Sequence, residues 1–263
     1  MDLKLKDKVA FVGGSSKGIG YGIAKQLAAE GAKLVLCARN RQQLEQAAES
    51  IRSKFVVEVL PIAADLSSLE QVRMAVQQAV NHFKLIDILI VNSGGPKPGR
   101  FFDLNDQDWT SAHRSVLLYV LELYQLLIPL MKKQGWGRII NISSLSVKEP
   151  EEHLLLSNVF RSAVVSLAKS ISKELYPFGI TINNICPGAF KTDRAIQLMQ
   201  SKAEKEGKTI EQVEQEVTSS LPGKKFSSIE DIGYLAAFLA SDLAKEITGT
   251  TIQIDQGLSK GLF

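Results

Sequence analysis

The chain of 263 residues contains 45% hydrophobic and 22% charged residues and has a formal net charge of +3. These values are ordinary for a folded protein, and neither the charge nor any Lys/Arg block supports a nucleic-acid partner. The N-terminus has no apolar core of signal-peptide length. The most apolar stretch, 116–131, is interrupted by Glu122 and Pro129 and is shorter than the ~20 residues of a membrane span. We therefore expect one large domain over 1–263, with no membrane and no nucleic acid.

The two cysteines, Cys37 and Cys186, each lie in an apolar, strand-like run. Isolated thiols in such runs are typical of small core residues, and unpaired cysteines are typical of a reducing compartment. We therefore expect a cytoplasmic protein, and we predict no metal site.

Apolar runs of strand length alternate along the chain with segments of helical periodicity. In chain order, the sequence predicts strand 9–12, helix 21–30, strand 33–38, helix 43–53, strand 55–62, helix 69–83, strand 87–91, helix 109–131, strand 138–142, helix 158–175, strand 181–185, helix 229–240 and strand 250–254. Such alternation favours parallel strands joined by right-handed crossover helices. The pattern therefore predicts an α/β fold with a parallel sheet.

A glycine-rich turn follows the first predicted strand, with glycines at Gly14, Gly18 and Gly20. One glycine of such a turn permits the tight bend, one lets a phosphate approach the backbone, and one lets the helix pack on the strand. The helix N-terminus that follows is suited to a pyrophosphate. Taken alone, the turn could also be only a tight connection, so its meaning depends on the rest of the chain.

Six short motifs span nearly the whole chain in the order in which one known family has them. They are Gly14-Ser15-Ser16-Lys17-Gly18-Ile19-Gly20, Asp65-Leu66, Asn92-Ser93-Gly94, Gly137-Arg138-Ile139-Ile140-Asn141-Ile142-Ser143-Ser144, Pro187-Gly188 and Ile247-Thr248-Gly249. Each is weak singly, but together the chain resembles the short-chain dehydrogenase/reductase family, in its 3-oxoacyl-[acyl-carrier-protein] reductase-like branch. The resemblance implies a single-domain, doubly wound parallel sheet of Rossmann type with helices on both faces.

The resemblance also implies a nicotinamide dinucleotide at the carboxyl ends of the strands, where such sheets generally bind ligands. Asp65 would lie at the adenine edge, although an aspartate there could be only an N-cap or turn residue. A Pro-Gly pair could likewise be a simple turn. The implied cofactor-binding residues are Gly14, Ser16, Lys17, Gly18, Ile19, Gly20, Arg39, Asp65, Leu66, Asn92, Gly94, Arg161, Pro187, Gly188, Phe190 and Thr192.

The end of the second strand bears on the choice between NAD and NADP. Proteins of this kind that use NAD usually have an acidic residue there for the ribose hydroxyls, whereas this chain has Ala38 and Arg39. A guanidinium binds a 2′-phosphate bidentately, and Lys17 in the glycine turn adds a second cation. Either cation alone could be a solvated surface charge. The absent acid and the two cations together predict that NADP(H) is preferred over NAD(H).

The residues implied to carry out the chemistry depart from the family pattern. In the family, a serine polarises the carbonyl, a tyrosine donates the proton, a lysine lowers the pKa of that tyrosine and holds the ribose, and an asparagine lies on the preceding helix. Ser144 matches the serine, but the matching positions hold Ser157 for the tyrosine, Arg161 for the lysine and Val116 for the asparagine. The predicted catalytic residues are therefore Ser144, Ser157 and Arg161.

These differences have unequal consequences. Arg161 can still donate hydrogen bonds to the ribose and supply positive charge. Ser157 is a poor general acid, because the pKa of an aliphatic hydroxyl lies far above the ~10 of a phenol. Lys148 or His153, in the intervening loop, could replace the acid, although a solvated lysine and a surface histidine are the simpler interpretations. Cofactor binding is expected to be intact, whereas the usual proton transfer is not.

Two functions of different classes fit this pattern. The first is an NADPH-dependent carbonyl reductase or alcohol dehydrogenase that acts on a 3-oxoacyl-like or other small ketone, or catalyses the reverse reaction, at an altered site. The second is a catalytically silent NADP-binding member that acts as a sensor or assembly subunit. The retained cofactor-binding residues around a polar triad favour the enzyme, whose partner is a small carbonyl or alcohol substrate.

Two further features concern flexibility and assembly. The segment 190–222 carries one apolar stripe at helical spacing, at Ile210, Val213, Val217 and Leu221, which predicts a mobile helical lid over the substrate. An ordinary pair of surface helices is the alternative. The helix 109–131 is apolar on more than one face, and the proteins that this chain resembles pair this helix across a two-fold axis. We therefore expect a homotetramer or a dimer.

Overall fold

The fold is that of the computed structural model, which describes residues 2–261. Its seven parallel strands form one sheet in the order β3-β2-β1-β4-β5-β6-β7. The strands are β1 (Val9–Gly13), β2 (Lys33–Ala38), β3 (Val59–Ala63), β4 (Ile88–Val91), β5 (Gly137–Ile142), β6 (Ile180–Pro187) and β7 (Thr251–Ile254). The helices are α1 (Gly18–Ala29), α2 (Arg41–Arg52), α3 (Leu69–Phe83), α4 (Asp106–Ala112), α5 (Tyr119–Gln134), α6 (Leu155–Leu175), α7 (Asp193–Glu206), α8 (Ile210–Ser220) and α9 (Ile229–Ala240).

Helices cover both faces of the sheet, and each strand therefore buries both of its sets of side chains. In β1, Ala10 and Val12 face the core shared with α1, α2 and α9. Val9 and Phe11 face the opposite core, shared with α3, α5 and α6. Because both faces of β1 and β4 are buried, these strands are continuously apolar in sequence. This arrangement confirms the predicted doubly wound parallel sheet of Rossmann type.

The strand order reverses at β1, which lies between β2 and β4. β1 pairs with β4 through Val12 and Ile90, and β4 pairs with β5 through Val91 and Asn141. The connections that leave β1 and β4 run to opposite faces of the sheet, which opens a crevice at the carboxyl ends of these strands. The candidate site lies along this crevice.

Most predicted elements agree with the structure to within about three residues, but three differ in an informative way. The predicted strand 55–62 is wrong at its start, because β3 begins at Val59. Phe55 and Val57 pack on the core without strand pairing, and Val56 is fully exposed. The helix predicted at 158–175 begins at Leu155, which places Ser157 inside its first turn. The helix predicted at 109–131 is divided by a π-helical turn, His113–Leu118, between α4 and α5.

The helical stretch Asp106–Gln134 is long and apolar enough to cross a membrane by length and composition alone. In the structure, 44% of its most apolar 18-residue window is buried. Val120, Leu127 and Met131 of this stretch belong to the core on the α3–α5–α6 face. The core helix of a globular protein satisfies the same length and composition test, and this stretch packs as one.

Candidate active site

The glycine turn between β1 and α1 has a backbone that favours glycine. Gly14 and Gly18 both have φ of 59°. A Cβ atom on Gly20 would overlap the carbonyl oxygen of Gly14. Asn92, which follows β4, donates from Nδ2 to the carbonyl oxygen of Gly13 at 3.0 Å. The turn is therefore held from the neighbouring strand, and close packing leaves no room for a side chain at Gly13, Gly14 or Gly20.

The N-terminus of α1 opens into this turn without a side-chain cap. Its N-cap residue, Lys17, makes no capping hydrogen bond, and the first turn of the helix contains no acidic residue. Ser16 and Ile19 are half-buried beside it. Uncapped N–H groups at the positive end of a helix dipole bind anions. Glycines that let a ligand approach the backbone and an uncapped helix start fit the pyrophosphate of a dinucleotide.

Beyond the turn, the two cations of the predicted adenosine end have different surroundings. Arg39 follows β2 and is exposed, whereas Lys17 forms an ion pair with Asp193 at the start of α7. Asp65 follows β3, and its Oδ1 accepts hydrogen bonds from the N–H and the hydroxyl of Ser67, at 2.9 and 2.8 Å. Asp65 therefore acts as a turn residue, and these two hydrogen bonds use one of its two carboxylate oxygens. The adjacent Leu66 is buried beneath the glycine turn.

Toward the other end, the crevice is bordered by the ends of β4 and β6. Around Gly94 no heavy atom lies within 4 Å of the position that a Cβ would take. Gly188, directly after Pro187, donates to the carbonyl oxygen of Ile254 at 2.9 Å. Phe190 is buried. Thr192 caps α7 by accepting a hydrogen bond from the following turn, and its methyl group lies beside Gly18.

Ser144 and Ser157 are brought together through a third serine. Ser144 follows β5, and its Oγ accepts a hydrogen bond from the N–H of Ser146 at 3.1 Å. The hydroxyl proton of Ser144 therefore remains available for donation to a ligand. Ser157, in the first turn of α6, is buried, and its Oγ lies 3.4 Å from the Oγ of Ser146.

Arg161 lies one helical turn after Ser157 and reaches back to the end of β5. Its Nη1 donates to the carbonyl oxygens of Ile142 and Ser143, at 2.8 and 3.2 Å. Burial lowers the pKa of this guanidinium, and the titratable groups that raise it are Tyr119 and Cys186. An arginine keeps its proton even in such surroundings. A positive charge is therefore held at the end of the crevice where Ser144, Ser157 and Arg161 lie, which we call the reaction end.

Two residues at this end were not found from the sequence. Tyr119, the first residue of α5, is buried beside Ser93 and Arg161; burial raises the pKa of its phenol, and both neighbours lower it. Arg194, in the first turn of α7, donates from Nη2 to the carbonyl oxygen of Pro96 at 2.6 Å. Both lie near motif residues in sequence, since Tyr119 is three positions after Val116 and Arg194 two after Thr192. That nearness is the only sequence signal that points to them.

The alternative acids considered from sequence occupy different surroundings. His153 is exposed, and its Nε2 lies 3.4 Å from the Nη2 of Arg100, as befits a surface histidine. Lys148 is half-buried, and its charge lowers the pKa of the Cys186 thiol, which burial raises to about 11. Val116 is buried in the π-helical turn. Within residues 2–261, His, Cys, Asp and Glu side chains form no group of three or more that could hold a metal ion.

Comparisons with known proteins extend over the whole crevice and sheet. The enoyl-(acyl carrier protein) reductase family model matches residues 14–259. The NADPH-dependent reductase BacG of Bacillus subtilis (strain 168) is 32% identical over 259 residues, which cover 98% of this chain and 100% of that protein. The 3-oxoacyl-[acyl-carrier-protein] reductase FabG of Aquifex aeolicus (strain VF5) is 30% identical over 258 residues, with 98% and 100% covered.

Among solved structures, L-sorbose reductase from Gluconobacter frateurii, complexed with NADPH and L-sorbose, matches this chain with a TM-score of 0.94. The two sequences are 31% identical, and the match covers 100% of both chains. The likeness therefore includes the glycine turn, the ends of β4 to β6 and the α7–α8 segment alike.

Proposed function

The chain belongs to the short-chain dehydrogenase/reductase family as an NAD(P)-dependent carbonyl oxidoreductase, and we propose that it reduces a small carbonyl compound with NADPH at an altered catalytic site. The observation that carries the proposal is the position of the Ser144 hydroxyl at the end of β5, in the same crevice as the glycine turn and the uncapped N-terminus of α1. In the proposed site, Ser157 and Arg161 stand where the family has tyrosine and lysine.

The residues of the chain have distinct tasks in the proposed reaction. A bound nicotinamide cofactor supplies the hydride. Ser144 donates a hydrogen bond to the carbonyl oxygen from its hydroxyl, whose oxygen is positioned by the N–H of Ser146. Arg161 contributes a fixed positive charge where negative charge develops on that oxygen. Both groups are held on the backbone at the end of β5 and need no rearrangement to act.

Proton donation is the weak step of the proposed mechanism. Ser157 is buried against Ser146 and carries an aliphatic hydroxyl, whose pKa lies far above that of a phenol. A missing general acid lowers a rate by roughly 10² to 10⁴ without abolishing the reaction. We therefore propose a slow reductase rather than an inactive protein.

The NADPH preference rests on charge at the end of β2. Arg39 is exposed there and follows Ala38 in place of an acidic residue. Lys17 already has a carboxylate partner in Asp193, so its help to a 2′-phosphate requires that ion pair to open. Arg39 is accordingly the main proposed contact to the phosphate. BacG and the L-sorbose reductase are both named with NADPH, which supports the same preference.

The segment 190–222 is proposed to act as a lid over the substrate. It forms α7 and α8, which share a small apolar cluster of Met199, Ala203 and Val213. Val213 belongs to the predicted apolar stripe, so part of that stripe packs within the helix pair. The polar contacts of its first turn, Lys17 with Asp193 and Arg194 with Pro96, join it to both sides of the crevice. Such contacts can be exchanged for a ligand when the segment closes.

Assembly and location are part of the same proposal. Leu117, Leu121 and Leu126 on the long helical stretch are only half-buried in one subunit. A second copy packed along this helix would cover them, as expected for a homotetramer or a dimer. A mass by light scattering at micromolar concentration tests this, and a monomer would contradict it. The free, buried thiols of Cys37 and Cys186 support a reducing, cytoplasmic location.

The proposed function is tested by incubating the purified protein with NADPH and a panel of carbonyl compounds. We expect substrate-dependent oxidation of NADPH that Ser144→Ala lowers, because that variant lacks the donor to the carbonyl oxygen. An exposed serine away from the crevice, in the variant Ser53→Ala, provides the matched control. Tight NADPH binding without any turnover would instead favour the silent, nucleotide-binding alternative.

A further inference from the structure

The reaction end of the crevice holds two arginines without an acidic partner. Arg161 donates to carbonyl oxygens at the end of β5, and Arg194 donates to the carbonyl oxygen of Pro96 after β4. Within residues 2–261, the arginines that form ion pairs with carboxylates are Arg52, Arg73, Arg100 and Arg138.

The two guanidinium groups bind the ends of adjacent strands. β4 and β5 are paired strands, so the loops that carry the two carbonyl acceptors lie side by side. Burial lowers the pKa of Arg194, and the charge of Arg161 lowers it further. No carboxylate contributes to the pKa of either group. Lys148, half-buried near Cys186, adds a third positive charge at this end.

The loop after β4 is shaped to receive the Arg194 side chain. A Cβ atom on Gly95 would lie 2.8 Å from Nε and 3.1 Å from Cζ of Arg194. Any side chain at position 95 would therefore displace the guanidinium from the loop. The space left by Gly95 and the 2.6 Å hydrogen bond to Pro96 together hold the Arg194 guanidinium over the end of β4.

This arrangement is unfavourable without a ligand. Like charges that are partly removed from water repel each other and lose hydration. The backbone carbonyls satisfy only part of the five N–H donors of each guanidinium. A carboxylate bound there would offset one of the two positive charges and could accept bidentate hydrogen bonds, which are among the stronger polar contacts in proteins.

We propose that the substrate is an oxo acid, whose carboxylate is bound by Arg194 with help from Arg161 while Ser144 holds the carbonyl oxygen. The inference rests on the proposed function, because it names the substrate class of that same site. A phosphate of the cofactor is the other possible anion. The cradle suited to the pyrophosphate lies at the start of α1, beyond β1, whereas Arg194 and Arg161 lie over β4 and β5. The position therefore favours the substrate as the source of the anion.

Binding is tested first, independently of turnover. The NADPH-saturated protein is titrated by calorimetry with pentanoate and with pentanamide, which have the same length but differ in charge. We expect pentanoate to bind at least about tenfold more tightly, a difference of about 1.4 kcal/mol. Arg194→Gln should remove this difference, and Arg194→Lys should keep part of it. Arg114→Gln, which changes an exposed arginine of the π-helical turn, should leave the difference unchanged.

Three outcomes of the binding experiment would overturn the inference. They are equal affinity for the acid and the amide, no binding of either compound, and loss of NADPH affinity in Arg194→Gln as large as the loss for pentanoate. The last outcome would assign the arginines to a phosphate of the cofactor. Thermal unfolding of each variant checks that it is folded.

Turnover then separates this inference from the proposed function. The 2-oxo, 3-oxo and 4-oxo pentanoates are each compared with their methyl esters as substrates of the full chain. We expect kcat/KM of at least one acid to exceed that of its ester about tenfold or more, and we expect Arg194→Gln to bring this acid-to-ester ratio close to one. Esters reduced as fast as acids would contradict the inference and support the function. Pentanoate binding that depends on Arg194, with no turnover of any compound, would uphold the anion site and contradict the function.

Discussion

The glycine turn at β1 and the reaction end at β5 use different atoms of the chain. At the turn, the proposed anion site consists of backbone N–H groups beside closely packed glycines, so it depends on the local conformation. At β5, the proposed catalytic groups are the hydroxyl of Ser144 and the guanidinium of Arg161, so the identity of each side chain matters. Backbone-based binding can persist while side-chain chemistry changes, because the fold that builds the backbone is the same.

The same difference bears on the proposed catalytic residues, which depart from the family pattern although the sheet does not. α6 begins at Leu155 and presents Ser157 and Arg161 one turn apart toward the end of β5. A small serine hydroxyl finds a partner in Ser146, and a larger guanidinium finds partners in two carbonyl oxygens. Neither residue disturbs the sheet, which is why chemistry at this end can vary independently of the fold.

The largest effect is expected from Gly20→Ala at the turn. Its Cβ would overlap the carbonyl oxygen of Gly14 and lie 2.8 Å from Nδ2 of Asn92, so the turn must shift. NADPH affinity, measured by fluorescence titration, should fall by about 100-fold or more. Gly135→Ala is the control, because Gly135 has a positive φ but a Cβ there would meet none of the described residues within 4 Å. That variant should lose about 1 kcal/mol of stability and keep its NADPH affinity. Unchanged binding in Gly20→Ala would remove the backbone account of the turn.

A gain of function is expected at the reaction end from Ser157→Tyr combined with Arg161→Lys. Tyrosine provides a phenol whose pKa a neighbouring ammonium can lower, and turnover of a 3-oxoacyl thioester or a simple diketone should rise by about 100-fold. NADPH affinity should stay within a few-fold, because lysine can also reach the ribose. Ser157→Phe with Arg161→Lys has the ring without the hydroxyl and should show no gain. A fast wild type that the double change slows would mean that Ser157 and Arg161 form a different working mechanism.

A smaller effect, on cofactor choice, is expected from Arg39→Asp. Loss of a charged hydrogen-bonding partner and gain of an acid should shift the NADPH-to-NADH affinity ratio by about 10- to 100-fold toward NADH. Lys17→Gln should shift the ratio less, because Lys17 is already paired with Asp193. Calorimetric titration of both cofactors measures these ratios. Equal affinities for the two cofactors in the wild type would contradict the proposed preference.

The smallest effect concerns the mobility of the α7–α8 segment. Its buried cluster is much smaller than the cores on either side of the sheet, so its amides should exchange faster than those of α1 or α9. Binding of NADPH should slow this exchange by about tenfold if the segment closes as a lid. Hydrogen exchange followed by mass spectrometry measures both. Slow exchange of this segment in the absence of ligand would favour an ordinary pair of surface helices.

The sequence by itself determined the fold class and the spacing of the candidate residues. An apolar run, a glycine turn and a helical period follow one another between Val9 and Ala29, and each is a local signal. Ser157 was located by the family's spacing from Ser144, and Arg161 lies one helical turn after Ser157. The strand pattern was ambiguous only where apolar residues pack without pairing, as at Phe55 and Val57.

Only the tertiary structure decided which side chains meet. Lys17 is paired with Asp193, Tyr119 lies beside Arg161, and Arg194 reaches Pro96, although the members of each pair are far apart in the chain. Such contacts depend on strand order and on the paths of the loops after β4 and β6, and neither has a periodic signal in the sequence. The charge balance at the reaction end is therefore a property of the folded chain, because it arises from distances between residues that the sequence does not place together.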